Sequence, residues 1–105
     1  MKILFDQGTP LPLAGHLSGH SIQTAGDLGW AQLENGDLLL AAEQAGFDLF
    51  ISTDQNLKYQ QNLAGRKLAI VILLSTSWPK MQPHLPRIQQ VVDSATAGTY
   101  IEIPI

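Results

Sequence analysis

The sequence predicts an α/β fold: a small, doubly wound parallel sheet of five strands in the order 2-1-3-4-5, with helices on both faces. Three observations predict it. Short β-type runs alternate with helical patterns along all 105 residues, as in βαβ units joined by right-handed crossovers. The longest apolar run, residues 68–74, has no polar alternation, which suits a strand buried on both faces of a parallel sheet. No internal repeat, low-complexity stretch or linker divides the chain, so residues 1–105 read as one domain.

The elements follow in order. Residues 2–5 form a short apolar strand that ends at Asp6, Gln7 and Gly8. Thr9 can cap a helix with Pro10 at its first position, Leu11, Leu13 and Leu17 on its buried side, and Gly19 at its end. Residues 21–24 make a brief second strand, and 25–33, with Gly26 and Gly29, a loop with one helical turn. A clear helix begins at Asn35-Gly36, carries Leu38, Leu39, Ala41, Ala42 and Ala45 on one broad face, and stops with Gly46 at C′. Residues 48–53 are the third strand, 55–65 a polar loop with one short helix, and 67–74 the fourth strand. A helix over 79–94 is interrupted early by Pro83 and Pro86, and after Gly98 the last strand covers 99–103.

Composition narrows the function. Apolar residues are 45% of the chain, enough for a core, and disorder is not expected. The absence of cysteine excludes a disulfide scaffold, a thiolate zinc site and a cysteine nucleophile, and fits a reducing cytoplasm. The opening apolar run is too short for a signal peptide, and the longest run falls far below the roughly 20 residues of a membrane helix. A net charge of −3 argues against an all-over electrostatic grip on nucleic acid. It allows a local basic rim beside an acidic, metal-filled pocket.

Asp6 and Asp54 carry the chemistry. Each follows a central strand at the sheet edge where open α/β folds bind ligands. If the first and third strands are neighbours, their axes lie about 4.8 Å apart and the two carboxylates face each other. Their repulsion is relieved by a proton or a cation, most simply a divalent ion with oxygen ligands. Aspartate also closes strand-end turns by bonding nearby backbone N–H groups, so each residue has an ordinary structural use. Asp37, in the first turn of the second helix, is the third candidate, or simply complements the helix dipole. Glu34 and Asp27 lie close enough to replace it, and Glu43 is further away. Ser75-Thr76-Ser77 is a turn and N-cap after the fourth strand, or supplies a hydroxyl to a phosphate or a metal water. Lys58 and Lys80 are candidates for the rim, Arg66, Lys67 and Arg87 being further basic residues. Trp30 and Trp78 are core lids or stacking platforms. His16, His20 and His84 show no zinc spacing.

Lys2-Ile3-Leu4-Phe5-Asp6 with Pro10, then Gly19-His20-Ser21-Ile22, then Asn35-Gly36-Asp37-Leu38-Leu39, then Phe50-Ile51-Ser52-Thr53-Asp54-Gln55-Asn56-Leu57 stand in the order found in a compact bacterial PIN-like family. The chain resembles that family, a relative of VapC-type toxin ribonucleases, over essentially its whole length. The resemblance implies a sheet-edge acid cluster holding Mg²⁺ or Mn²⁺, hydrolysis of RNA phosphodiesters, and a cognate antitoxin as protein partner. A homodimer is a further expected assembly. By motif, Asp6 is the acid after the first strand, Asp37 the acid of the middle helix, and Asp54 the first acid of a Thr-x-Asp-x-Asp-Phe pattern. Asn56 and Leu57 replace the last two residues of that pattern, and Gln7 stands where a further acid is usual. The resemblance therefore implies a weakened or substrate-restricted enzyme, or a degenerate, non-catalytic binding member.

A receiver-like phospho-acceptor domain is the competing scheme. It would use Asp6, Asp54 and Ser75 or Thr76 on a five-stranded sheet, but the lysine expected after the last strand is missing.

Overall fold

The computed structural model describes residues 1–60 and 65–105. Among them five strands form one parallel sheet: β1 (Lys2–Phe5), β2 (Ser21–Thr24), β3 (Leu49–Ser52), β4 (Ala69–Leu73) and β5 (Tyr100–Ile103). Their order is β2-β1-β3-β4-β5, as expected from the sequence. The helices are α1 (Asn35–Gln44), α2 (Leu57–Gln60), α3 (Trp78–Met81) and α4 (Leu85–Ser94), with 3-10 turns at Leu11–His16 and Gln82–His84.

Side-chain alternation along the strands divides the core into two layers. On one face Ile3, Phe5, Leu49, Ile51 and Val71 pack with Leu13, Leu17 and the α4 residues Ile88, Val91 and Val92. On the other, Leu4, Phe50, Ile70 and Ile72 pack with Leu57 and the α1 residues Leu38, Leu39 and Ala42. Every residue of β3 and β4 is buried. With both faces of β4 covered by apolar groups, no polar alternation is possible there.

Against the sequence reading, one helix and several strand ends differ, and one helix break stands where it was expected. The segment after Thr9 is a 3-10 turn rather than an α-helix. Pro10 is its N-cap without a side-chain bond, because the Thr9 hydroxyl turns to Asp6 and to the Ile51 carbonyl instead. The early interruption expected at Pro83 in the helix over 79–94 is present as the turn at Gln82–His84, where Pro83 lacks an N–H to donate, whereas Pro86 sits in the first turn of α4 without breaking it. Strands β3, β4 and β5 are each trimmed at one or both ends relative to the sequence reading. The short helix expected within 55–65 is α2, and its remaining stretch, 61–64, lies outside the described residues.

Candidate functional site

The parallel register pairs Phe5 with Ile51, and the Asp6 amide donates to the Ile51 carbonyl at 3.1 Å. One step on, Asp6 stands beside Ser52. Asp6 and Ser52 continue the face that carries Leu4, Phe50 and α1. The Asp6 carboxylate is therefore linked through Ser52 to the backbone of Asp54. The Ser52 hydroxyl donates to Asp6 Oδ2 and accepts from the Asp54 amide at 3.0 Å. Ser52 is 1% exposed, so water does not compete for these contacts.

Each acid also closes its own turn. Asp6 Oδ1 accepts from the Gly8 amide at 3.1 Å and lies 3.0 Å from the Thr9 hydroxyl. Asp54 Oδ1 accepts from the Asn56 amide at 3.0 Å. Space beside Gly8 is tight: a Cβ there would stand 2.6 Å from Thr53 Oγ1, and that side chain would have to shift. Helix α1 points its first residue at the pair, and Asn35 Nδ2 donates to Asp54 Oδ2 at 3.0 Å.

Burial drives the Asp6 pKa up. Hydrogen bonds from Ser52, Thr9 and Gly8 pull the other way, and the charge of Asp54 adds to the rise. A partly buried carboxyl beside a second anion is an environment that a cation would relieve. The available donors are hard oxygens, which suit Mg²⁺ or Mn²⁺. Among the described residues, however, no three His, Asp or Glu side chains converge as a metal-holding group. An ion here would rest on Asp6 and Asp54 and complete its shell with water, as Mg²⁺ commonly does.

The other candidates are dispersed. Asp37 is exposed in the first turn of α1 and lines neither cleft beside Asp6. Lys58 is tied to Glu102 of β5 at 3.0 Å and lies 5.1 Å from the Tyr59 ring centre. Glu102 in turn accepts from the Tyr100 hydroxyl at 2.9 Å. Lys80 is an exposed residue of α3, its amide bonded to the Ser77 cap. Ser75 accepts from the Ser77 amide and serves that turn. Trp30 packs edge-on against Phe47 at 6.1 Å as a core lid, and Trp78 leans on His16 at 5.4 Å. His20 binds Asp93 of α4 at 2.7 Å, and that hydrogen bond holds the Asp93 pKa down.

Sequence reasoning missed Ser52, Asn35, Thr9 and Gly8. Ser52 was within reach: two residues before Asp54 on an alternating strand, it shares the face of Phe50. Nothing in the spacing separates Asn35 from Asp37, because the choice depends on how the first turn of α1 sits over the sheet.

Two small clefts open beside Asp6, of about 150 Å³ and about 350 Å³. A third, about 330 Å³ and lined by Met1, Asp48, Lys67 and Ala97 among others, lies at the opposite edge of the sheet. No helix among the described residues is long and apolar enough to cross a membrane. No family model, no curated protein and no solved structure matches the chain.

Proposed function

We propose that the protein is a PIN-like, metal-dependent endoribonuclease of low or substrate-restricted activity. The observation that supports it is the coupled pair Asp6–Ser52–Asp54 at the carboxyl ends of adjacent central strands. Asp6 and Asp54 would hold one Mg²⁺ or Mn²⁺. When bound, the ion supplies Lewis-acid stabilisation and a more acidic water for attack on a phosphodiester. Ser52 fixes the orientation of the Asp6 carboxylate, and Asn35 that of Asp54. Both contacts hold the acids in place before any ligand arrives, so little ordering is left for the moment of binding.

RNA as substrate, an antitoxin partner, a homodimer and a cytoplasmic setting belong to this reading. They rest on the resemblance around Asp6, Asp37 and Asp54. The test is cleavage of a mixed RNA pool with Mn²⁺, with and without chelator, by the native chain and by Asp6→Asn. Loss of cleavage in both controls is expected, and activity that survives both overturns the mechanism.

A second reading, a non-catalytic binding domain, is favoured by one observation: each aspartate already closes its own turn, and no third acid joins them among the described residues. Calorimetry separates the two, since the binding domain takes up no Mn²⁺ at millimolar concentration. A receiver-like domain would need a lysine beside Asp54. Lys58, the nearest in sequence, is held by Glu102.

A further inference from the structure

The cleft at the far edge of the sheet from Asp6 lies where β3 and β4 begin. The Ala69 amide donates to the Asp48 carbonyl at 3.0 Å and fixes the two strand starts side by side. The Gly98 amide donates to the Lys67 carbonyl at 3.0 Å and brings in the segment after α4 as a third wall. Phe47 and Leu68, both buried, give the cleft its large apolar surface. Small residues such as Ala95 and Ala97 leave it a volume of about 330 Å³.

Four charged groups border this cleft among the described residues: the Met1 amine, Glu43, Asp48 and Lys67. Two of them are engaged elsewhere. Glu43 accepts from Arg66 Nη1 at 2.8 Å and from the Lys67 amide at 3.2 Å, and the Met1 amine lies 3.1 Å from His20 Nδ1. Asp48 and Lys67 remain open, and both are exposed. Asp48 Oδ2 accepts from the Lys2 amide at 2.8 Å, which orients the carboxylate and leaves Oδ1 to the cleft. The Lys67 ammonium makes no ion pair among the described residues, with Asp48 or any other acid.

This pair of open charges selects the class of ligand. An anion alone meets Lys67 but is repelled by Asp48, and a cation alone meets the reverse. A zwitterion satisfies both groups at once, its ammonium on Asp48 and its carboxylate on Lys67. An apolar side chain then rests on Phe47 and Leu68. Apolar walls with a few placed polar groups are the usual make-up of small-molecule sites, and this volume is at the small end of their range.

We infer that this cleft binds a free apolar α-amino acid, with Asp48 holding the amino group and Lys67 the carboxylate. The inference is independent of the ribonuclease reading, whose acids stand at the other edge of the sheet.

The experiment is amide NMR of the isotope-labelled full chain, titrated with L-leucine and, separately, with isocaproate, which lacks the amine, and isoamylamine, which lacks the carboxylate. Leucine is expected to move the signals of Gly46, Asp48, Lys67 and Ala97, and each analogue to bind more weakly on the order of five-fold. Asp48→Asn keeps an acceptor for the Lys2 amide, and Lys67→Met keeps the apolar stem. Each variant is expected to weaken leucine binding on the order of five-fold, with the remaining spectrum unchanged. Asp6→Asn is expected to bind leucine as the native chain does. No shift of these four amides at tens of millimolar leucine, an analogue that binds as tightly as leucine, undiminished binding by both cleft variants, or a loss of binding in Asp6→Asn would overturn the site.

Discussion

Ser52 has one hydroxyl proton and two lone pairs, and uses them on both acids at once. Ser52→Ala leaves a buried carboxylate oxygen without its donor and the Asp54 amide without its acceptor. The expected loss is about 1–3 kcal/mol of unfolding free energy, read as a lower urea midpoint at constant slope. Asp6 gives a pH signature. Its folded pKa is raised, chiefly by burial, so ionising it costs the folded state more than the unfolded chain. Its contribution is fully present below the unfolded value of about 3.9 and is lost as pH rises through the folded value. Urea unfolding of the native chain and Asp6→Asn across that window should therefore show the native chain losing stability relative to the variant as pH rises. A difference that grows in the opposite direction would contradict the burial argument.

At the scale of elements, α1 is closed by a Schellman arrangement. The Phe47 amide donates to Ala42 at 3.0 Å and the Gly46 amide to Glu43 at 3.1 Å, with Gly46 at φ +82°. A Cβ at Gly46 would touch nothing within 4 Å, so Gly46→Ala costs only the left-handed torsion, about 1–2 kcal/mol, measurable by thermal melting. Strand β4 behaves differently. Ile72 is fully buried against the α1 layer, and Ile72→Ala should cost about 2–5 kcal/mol through lost burial and the cavity left behind. These two elements were also the most legible in the sequence. Gly46 stood where a C′ glycine belongs, and the unbroken run 68–74 could only be covered on both sides. The 3-10 turn at Leu11–His16 was not legible, because Thr9 could cap a helix or brace Asp6, and that choice depends on β3, more than forty residues away.

Over the whole molecule, the candidate site was half legible. Two aspartates after two strands could be read from position alone. The serine between them and the asparagine from α1 depend on register and on helix placement, which no local pattern records. If the pair holds an ion, binding is linked to folding. Mn²⁺ at about a hundred times its Kd adds roughly 2.7 kcal/mol to unfolding, a rise in melting temperature that Asp6→Asn should lack. A native chain whose melting temperature ignores millimolar Mn²⁺ would count against the metal site.

Strand β1 lies between β2 and β3, and this has a kinetic consequence. Parallel neighbours are joined only by long crossovers, and such distant pairings form slowly, in milliseconds to seconds for sheets rich in them. Asp6, Asn35, Ser52 and Asp54 belong to segments that meet only when β1 and β3 have docked and α1 has closed over them. An unfinished β1–β2 pair would leave Asp6 without the Ser52 hydroxyl and its amide without the Ile51 carbonyl. In stopped-flow refolding, the Mn²⁺-dependent signal should therefore appear no earlier than burial of the β3–β4 core, and the Asp6 amide should exchange its hydrogen only through opening of the β1–β3 ladder.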